Sequence, residues 1–403
     1  MVQLRGKLIK RDHIVALALL FNTFTWYFFG RTMVTKIGYA FSESSFEHLC
    51  LELTYPASII VSGIIGSIFL TKINKIRFFY AWLLFGVTTS ISLAIPVGSS
   101  LSATLTLTCL LGSSVGLGMP SCLSYFKEST LIENRGKVGG VILFATILGA
   151  SFIFVSTSAL DLISSVVILS LWRAWSLPFL FIASKRGIQS LPDAKKVSSL
   201  ISVLHNRTFY LYFAAWLLFA FVDSFETVVL ALTVGEYRFF ITVEQAFASL
   251  SAIIAGLLSD WIGRKRVIIF GFVSLGIAYA TIGLLPQTWI SWLFYFIIDG
   301  IALGLLWTLF MVVLWGDIST NGSEKFYAIG ETPFFLTEIF YLLLAPYLTL
   351  IPERSSFSLA ALFLFLAVLP LMYASETLPE KKIRERELKD YIEKAKEVKD
   401  KFT

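Results

Sequence analysis

The sequence predicts an all-α polytopic membrane protein with twelve transmembrane helices in two pseudo-symmetric six-helix bundles. Three observations support this class: the composition, the length of the apolar runs, and the placement of the basic residues. Of the 403 residues, 56% are hydrophobic and only 15% are charged, whereas soluble domains carry about 25% charged residues. A hydrocarbon layer of about 30 Å needs about 20 consecutive apolar residues per helix.

Runs of this length recur along the whole chain and define the predicted helices. In order, they cover residues 13–38, 46–71, 78–96, 101–126, 137–160, 163–183, 208–234, 241–262, 267–285, 289–315, 325–350 and 356–374. The first run begins after Arg11, is too long for a signal peptide and lacks a small-residue cleavage site. It is therefore predicted to be the first transmembrane helix.

The basic residues indicate the orientation, because Lys and Arg are retained on the cytoplasmic side of a membrane. They concentrate before the first run and in every second connection. The opposite side has only Arg31, Lys36, Arg238 and Arg354. We therefore expect a multi-pass protein of the cell (plasma) membrane with both termini cytoplasmic. This bias accounts for the net charge of +6, so nucleic acid is not an expected partner.

Enzymatic chemistry is not predicted. The sequence has no nucleotide-binding loop and no recognisable catalytic constellation. Its three cysteines lie in or beside predicted helices and show no Cys/His metal spacing, so we expect free thiols. No cofactor and no metal site are expected. The lipid bilayer is an expected partner, and we expect a functional monomer.

The second half of the chain repeats landmarks of the first half. A shift of about 189 residues aligns Trp26 with Trp216 and Glu128 with Asp317. The repeat divides the chain into an N-terminal six-helix bundle over residues 1–182, a cytoplasmic linker over 183–207 and a C-terminal six-helix bundle over 208–374. A charged, amphipathic cytoplasmic tail over 375–403 follows.

One connection carries a family signature. The run GLLSDWIGRKR, residues 256–266, resembles the Gly-x-x-x-Asp-x-x-Gly-Arg-Lys/Arg signature between helices 8 and 9 of major facilitator superfamily transporters. The loop with Glu128 and Arg135, and the run SETL at 375–378, are similar to other motifs of the family. The resemblance covers about residues 12–378. In the first half the signature lacks its acid and second glycine, and the drug/proton antiporter and sugar-porter signatures are absent or incomplete.

The charged connections predict a latch that closes the cytoplasmic ends of the helices. Asp260 is placed to accept from the positive N-terminus of a neighbouring helix, while Arg264 and Arg266 can reach Asp317 and Glu324. The predicted latch comprises Gly256, Asp260, Gly263, Arg264, Arg266, Glu128, Arg135 and Asp317. The alternative is a set of basic membrane anchors, the interpretation that we prefer for Lys75 and Lys265.

Ionisable residues within membrane spans are costly and are functional candidates by default. Arg31 and Lys36 in helix 1 lie at repeat positions close to those of Asp223 and Glu226 in helix 7. Helices 1 and 7 line the cavity in the fold of the resembled family. We therefore predict that the cations pair with the acids, as a gate or as a binding site. Interfacial snorkelling is the alternative.

Three further groups complete the candidates. Asp299 and Glu338 lie near mid-span and are predicted to carry a coupled proton, although Asp299 could simply bond a neighbouring helix. Glu331 lies about one turn inside the cytoplasmic end of helix 11. Asn22, Trp26 and Trp216 lie on cavity-lining helices of the resembled fold and are candidates for contacting an organic substrate, although most aromatic residues here face lipid.

The resemblance and the buried charges together predict a secondary active transporter. It would move a small organic solute by alternating access between two bundles, with coupling to protons. A facilitative uniporter and a non-transporting receptor or sensor on the same fold remain alternatives, because fold does not establish function. The substrate, the direction of transport and the role of the tail are not encoded in any recognisable motif.

Overall fold

The computed structural model describes residues 2–41, 45–69, 74–94, 100–184, 199–233, 237–319, 322–348, 352–379 and 388. Every regular element within these ranges is a helix, so the predicted all-α class is confirmed for this part of the chain. Most of the predicted linker, at 185–198, lies outside the described residues. So does the predicted tail beyond 379, apart from residue 388.

The long helical segments follow the predicted runs in order, and we number them α1 to α12. They are α1 (Val2–Phe41), α2 (Ser45–Phe69), α3 (Lys75–Ser92), α4 (Leu101–Gly116 and Met119–Ser129), α5 (Arg135–Ser158), α6 (Leu162–Ala174 and Leu177–Ser184), α7 (Arg207–Thr233), α8 (Tyr237–Ile262), α9 (Arg264–Leu284), α10 (Trp289–Trp307, Thr308–Val313 and Leu314–Ile318), α11 (Ser323–Gly330 and Thr332–Leu348) and α12 (Glu353–Tyr373). A short helix, Leu200–Leu204, precedes α7.

Eleven of these segments, among the described residues, are long and apolar enough to cross a membrane. The exception is α3, which coincides with the predicted span 78–96 but begins with Lys75 and Arg77. These two basic residues lower the apolarity of a helix of only 18 residues. The first segment, α1, begins well before its predicted start at residue 13 because the helix continues into the basic N-terminal stretch.

Short polar side chains fix where several helices begin. The Asn74 side chain accepts hydrogen bonds from the backbone N–H groups of residues 76 and 77 at the start of α3. Ser100 caps α4 in the same way, and Asp161 caps α6 by accepting from Ser164 N. These side chains satisfy N–H groups that have no partner within the helix. The helices can therefore start abruptly after short connections.

Four segments are interrupted, and three of the interruptions, those in α4, α6 and α11, precede a proline. In α4 the helix breaks at Leu117 and Gly118, just before Pro120, and in α11 it breaks at Glu331, just before Pro333. Proline lacks the N–H group that a continuous helix needs and clashes with the preceding turn. In α10 a π-helical turn, Thr308–Val313, widens the helix. Such turns are frequent at functional sites.

The first six and the last six helices meet along two seams. In one seam α5 packs against α8 and the π-helical turn of α10, and in the other α2 and α4 pack against α11. The first seam is the tighter of the two. A Cβ atom at Gly140 would collide with the carbonyl oxygen of Ala252, and one at Gly256 would collide with the carbonyl oxygen of Gly136. Small residues allow backbones to approach this closely in membrane helices.

Within the first half, α2 and α4 approach each other just as closely. A Cβ atom at Gly116 would collide with the carbonyl oxygen of Ile59 and with the Ser62 hydroxyl, whereas one at Gly63 would find its nearest neighbour, Gly116 O, at 3.5 Å. The first position has no room for a methyl group, and the second makes an ordinary van der Waals contact. The two glycines therefore differ in how they tolerate alanine.

We expect Gly116→Ala to destabilise the protein by about 1–3 kcal/mol, the usual cost of overpacking a well-packed core. Gly63→Ala serves as the matched control and should leave stability nearly unchanged. The measurement is the thermal unfolding midpoint of the two purified variants in detergent. Equal midpoints for both variants would contradict the close approach of α2 and α4.

Candidate functional site

Most of the polar contacts between the two halves lie at one end of the helical bundle. We call it the basic end and define it by Lys75, Lys127, Arg135, Arg264 and Lys265. Four of these side chains, those of Lys75, Lys127, Arg135 and Arg264, reach across the seam to residues of the other half. The Lys127 Nζ atom donates to the carbonyl oxygen and to the hydroxyl of Ser319, both at 2.7 Å. The basic end is closed in this conformation.

The carboxylate of Asp317 joins the two halves at the basic end. It accepts a hydrogen bond from Arg135 of α5 and another from the Nε atom of Arg264 of α9, at 3.1 Å. The Asp317 side chain is completely buried, and both guanidinium groups are almost completely buried. Buried charges are tolerated only when they are paired and hydrogen-bonded. This triad therefore requires the two halves to be in contact.

Asp260 makes a second connection across the same seam. Its carboxylate accepts from the backbone N–H groups of Gly136, at 3.0 Å, and Lys137, at 2.7 Å, at the N-terminus of α5. It also pairs with Arg264 at 2.7 Å. A helix N-terminus carries a partial positive charge and attracts a carboxylate. The structure thus places Asp260 at the neighbouring helix end that the sequence suggested, and its role as a latch stays a prediction.

The turn between α8 and α9 is held by Glu376, an acid that lies three residues beyond the end of α12. Gly263 has a φ of +105°, a conformation that glycine adopts without strain. The carboxylate of Glu376 then accepts from the backbone N–H groups of Arg264, at 2.9 Å, and Lys265, at 3.1 Å. The sequence did not reveal this cap, although the family resemblance of residues 375–378 pointed to the segment.

Lys75 is more than the membrane anchor that its sequence suggested. Its Nζ atom contacts Glu128 at 2.5 Å and Glu324, in the other half, at 3.3 Å. Partial burial lowers the pKa of Lys75, but the carboxylates of Glu324 and Glu128 outweigh burial and hold the pKa above its ordinary value. The prediction for Arg266 is wrong in this conformation, because the side chain is exposed and forms no ion pair within the described residues.

Deeper in the bundle, one ion pair crosses between the halves. Arg31 of α1 contacts Glu338 of α11 at 3.0 Å, with 49% of the Arg31 side chain exposed and 9% of the Glu338 side chain. The Tyr27 hydroxyl also donates to Glu338, and the Tyr55 hydroxyl donates to the Tyr27 carbonyl oxygen at 3.0 Å. Glu338 is therefore a buried carboxylate that is both paired with Arg31 and hydrogen-bonded to Tyr27.

The sequence had predicted that Arg31 and Lys36 pair with Asp223 and Glu226, and Arg31 does interact electrostatically with Asp223. Lys36 does not pair with Glu226. Its Nζ atom donates to the carbonyl oxygens of Thr157, at 2.5 Å, and Leu160, at 2.9 Å. Glu226 instead accepts from the hydroxyl of Tyr279 within the second half. Sequence reasoning could align these charges by repeat position, but it could not show which way each helix face points.

The second half contains a group of acids close to the predicted proton carrier. Asp299 is 3% exposed and Glu226 is 5% exposed. They interact electrostatically with each other and with Asp223 and Glu244. The sequence analysis overlooked Glu244, which lies in α8 and could have been found as an acid inside a predicted span. Asp299 therefore lies near Asp223 and Glu226, which the sequence had predicted to pair with cations. The other predicted proton carrier, Glu338, is not part of this group.

The first half contains a buried cation that sequence reasoning left without a role. The guanidinium of Arg173 lies 4.3 Å from the ring centre of Trp26 and 4.2 Å from that of Trp82. Arg173 also donates to the Asn22 side-chain oxygen at 2.9 Å. The side chains of Trp26 and Asn22 are completely buried. In this conformation they stabilise Arg173 rather than face an open solute pathway.

Trp216, the repeat counterpart of Trp26, is also enclosed. Its ring stacks on that of Phe310 at 4.6 Å between centroids and on that of Phe219 at 5.1 Å. Trp216 is only 1% exposed. The structure therefore shows both predicted substrate-stacking residues packed in the interior of their own half, and a contact with solute would require another conformation.

The Asp260 contacts generate a prediction for the closed basic end. Asp260→Asn removes the charge that faces the start of α5, so the population with an open basic end should rise about tenfold, which corresponds to about 1.4 kcal/mol. Ser323, which is 4% exposed at the seam, supplies the probe. The rate of thiol labelling of Ser323→Cys is measured at one pH after Cys50, Cys109 and Cys122 are replaced by Ala.

The matched control is Asp161→Asn, which removes a carboxylate that only caps α6. It should leave the labelling rate at that of the parent. If Asp260→Asn also labels at the parental rate, Asp260 has a purely local role at the end of its own helix.

The cross-half ion pair generates a second prediction. Arg31→Gln and Glu338→Gln should each lower the unfolding midpoint in detergent, and the double variant should lose less than the sum. A coupling energy of about 0.5–3 kcal/mol is expected for residues in direct contact. The control cycle combines Arg31→Gln with Glu226→Gln, for which additivity is expected. Additivity in both cycles would show that Arg31 and Glu338 are not energetically paired.

Comparison with known proteins relates this arrangement to one family. The family model described as Major Facilitator Superfamily matches residues 207–400. The solved proton:xylose symporter XylE, bound to 6-bromo-6-deoxy-D-glucose, has a TM-score of 0.69 at 16% identity, with 92% of this chain and 97% of that chain covered. The human organic anion transporter MFSD10 (TETRAN) has a TM-score of 0.60 at 16% identity, with coverages of 90% and 99%.

No curated protein matches the sequence significantly. At these identities, the two structural similarities show the fold. The family model adds a match in sequence over the second half of the chain, where the signature run 256–266 lies. On these two findings, residues 207–400 match the Major Facilitator Superfamily in sequence, the described chain has the fold of solved transporters of that superfamily, and its subfamily is unresolved.

Proposed function

We propose that this protein is a secondary active transporter that moves a small organic solute by alternating access and couples the movement to protons. The observation that carries the proposal is the closed basic end. The Asp317 triad and the Asp260 contacts hold the two halves together at that end. Contacts of this kind favour one of two states, and a few kcal/mol is enough to shift the populations.

The Arg31–Glu338 pair supports a pathway that opens at the other end. It links α1 to α11 within the membrane region, and about half of the Arg31 side chain is exposed. A charged side chain inside a membrane protein usually faces the bundle interior or a water-filled cavity. We infer that solvent reaches this pair from the end opposite the basic end. By the distribution of Lys and Arg, the basic end would be cytoplasmic in the plasma membrane.

The similar structures suggest the class of solute and the coupling ion. One of these proteins is described as a proton:xylose symporter and the other as an organic anion transporter. Both substrates are small organic molecules, which is the class proposed here. The buried carboxylates of Asp299 and Glu338 are the proposed proton carriers, because a carboxyl group that is shielded from water can exist in a neutral form.

The first test of transport is a binding and uptake series. Purified protein is screened for stabilisation by xylose, other monosaccharides and organic anions, since a ligand that binds only the folded state raises the unfolding midpoint. Each stabilising compound is then assayed for uptake into liposomes with and without an inwardly directed proton gradient. Binding without any uptake or exchange would favour a receptor, and gradient-independent equilibration would favour a uniporter.

In the same assay, Asp299→Asn and Glu338→Gln test the proposed carriers. A permanently neutral side chain still lets loaded carriers reorient, so solute exchange should persist. Uphill accumulation should fall until the solute is merely equilibrated, because the proton gradient has no group through which to act. If both single variants and the double variant accumulate solute like the parent, coupling does not run through these residues.

A further inference from the structure

Glu331 is a buried carboxylate at a helix break. It separates the two pieces of α11, Ser323–Gly330 and Thr332–Leu348. Only 3% of the residue is exposed. Neither carboxylate oxygen has a hydrogen-bond partner within the described part of the chain. This distinguishes Glu331 from Glu338, Glu226 and Asp317, whose oxygens accept from a tyrosine or an arginine.

The surroundings of Glu331 offer no charge that could compensate an ionised carboxylate. It lines a small cavity between α2, α4 and α11, and the remaining lining residues are Ile59, Ile60, Gly63, Gly116, Met119, Pro120, Ala328 and Phe335. None of these side chains can ionise. Among the described residues, the titratable group that interacts electrostatically with Glu331 is Tyr327 of its own helix, whose hydroxyl donates to the Val312 carbonyl oxygen.

A carboxylate in such a place is expected to be neutral. An ionised carboxylate that is removed from water without a partner costs several kcal/mol, and in practice the group takes up a proton instead. A protonated carboxyl avoids most of this cost. In the conformation with a closed basic end, the Glu331 side chain is therefore best described as carrying a proton.

The position of Glu331 couples that proton to the movement of the two halves. The cavity walls from α2 and α4 belong to the first half, whereas Glu331 belongs to the second half. Glu331 follows the start of α11 at Ser323 by eight residues, or about 12 Å along a helix. Separation of α11 from α2 and α4 at the basic end would therefore open the cavity and bring Glu331 into contact with water.

We propose that Glu331 is a proton-binding site that is occupied while the basic end is closed and releases its proton when that end opens. The inference rests on the proposed alternating-access function. It adds that protonation of Glu331 stabilises the closed contact of α11 with α2 and α4. The helix breaks in α4 and α11 border the same cavity. They provide local points at which the two walls can bend apart.

The test measures closure directly and needs no substrate. Spin labels are placed on Leu131→Cys and His205→Cys, two exposed positions near the basic end, after Cys50, Cys109 and Cys122 are replaced by Ala. Leu131 belongs to the first half, and His205 follows the short helix that packs against α7 of the second half. Electron–electron distance distributions are recorded in liposomes from about pH 5 to about pH 9, because buried glutamates titrate as high as pH 8–9.

In the parent, the ratio of long to short distances should rise with pH, by up to about tenfold per pH unit, because a proton leaves only in the open state. Glu331→Gln imitates the protonated side chain and should keep the short distance throughout. Glu331→Asp keeps a titratable group and should restore the pH response. The proposal is overturned if the parent shows no response to pH or if Glu331→Gln responds like the parent.

Transport assays on the same proteins separate this inference from the proposed function. Suppose that the parent accumulates solute with a proton gradient, while Glu331→Gln retains the parental distance response. The protein would then be a proton-coupled transporter, but Glu331 would not be the proton-binding site. Suppose instead that the parent transports none of the solutes but shows a pH response that Glu331→Gln abolishes. The proton-binding site would then be supported, and the proposed transport function would be rejected.

Discussion

The buried carboxylate of Asp317 is the group on which the closed conformation depends. It lies between two guanidinium groups, Arg135 from the first half and Arg264 from its own half. Removing one partner from a buried ion pair typically costs about 3–5 kcal/mol, because a charge is left uncompensated. Parting of the two halves would expose these charges to water at the same moment, so the network stabilises closure without preventing opening.

The two seams between the halves serve different purposes. Where α5 meets α8, glycines such as Gly136, Gly140 and Gly256 bring the backbones together, and the Asp260 carboxylate extends this contact to the helix end. Where α2 and α4 meet α11, proline-associated breaks leave a cavity that holds Glu331. A tight, smooth seam can act as the axis of a rocking movement, while a seam with a cavity and helix breaks can change shape.

The ionisable groups inside the membrane region are distributed unevenly between the halves. The second half contributes most of the acids, which are Asp223, Glu226, Glu244, Asp299, Glu331 and Glu338, whereas the first half contributes the cations Arg31, Lys36 and Arg173 together with the acid Glu52. Arg31–Glu338 is an ion pair that joins the two halves directly, and Arg31 also interacts electrostatically with Asp223. Glu226 instead accepts a hydrogen bond from the hydroxyl group of Tyr279 within its own half.

The sequence alone determined the membrane class, the helices and the residues of the basic end, because apolar run length, charge bias and a signature run are local properties. It also suggested that Asp260 faces the N-terminus of a neighbouring helix and that Arg264 can reach Asp317, because these residues lie in charged connections on the same predicted side. Tertiary structure decided the pairing of Arg31 with Glu338, the sandwich of Arg173 between Trp26 and Trp82, and the isolation of Glu331. Those relations depend on helix rotation and on side chains from distant helices, which sequence spacing does not specify.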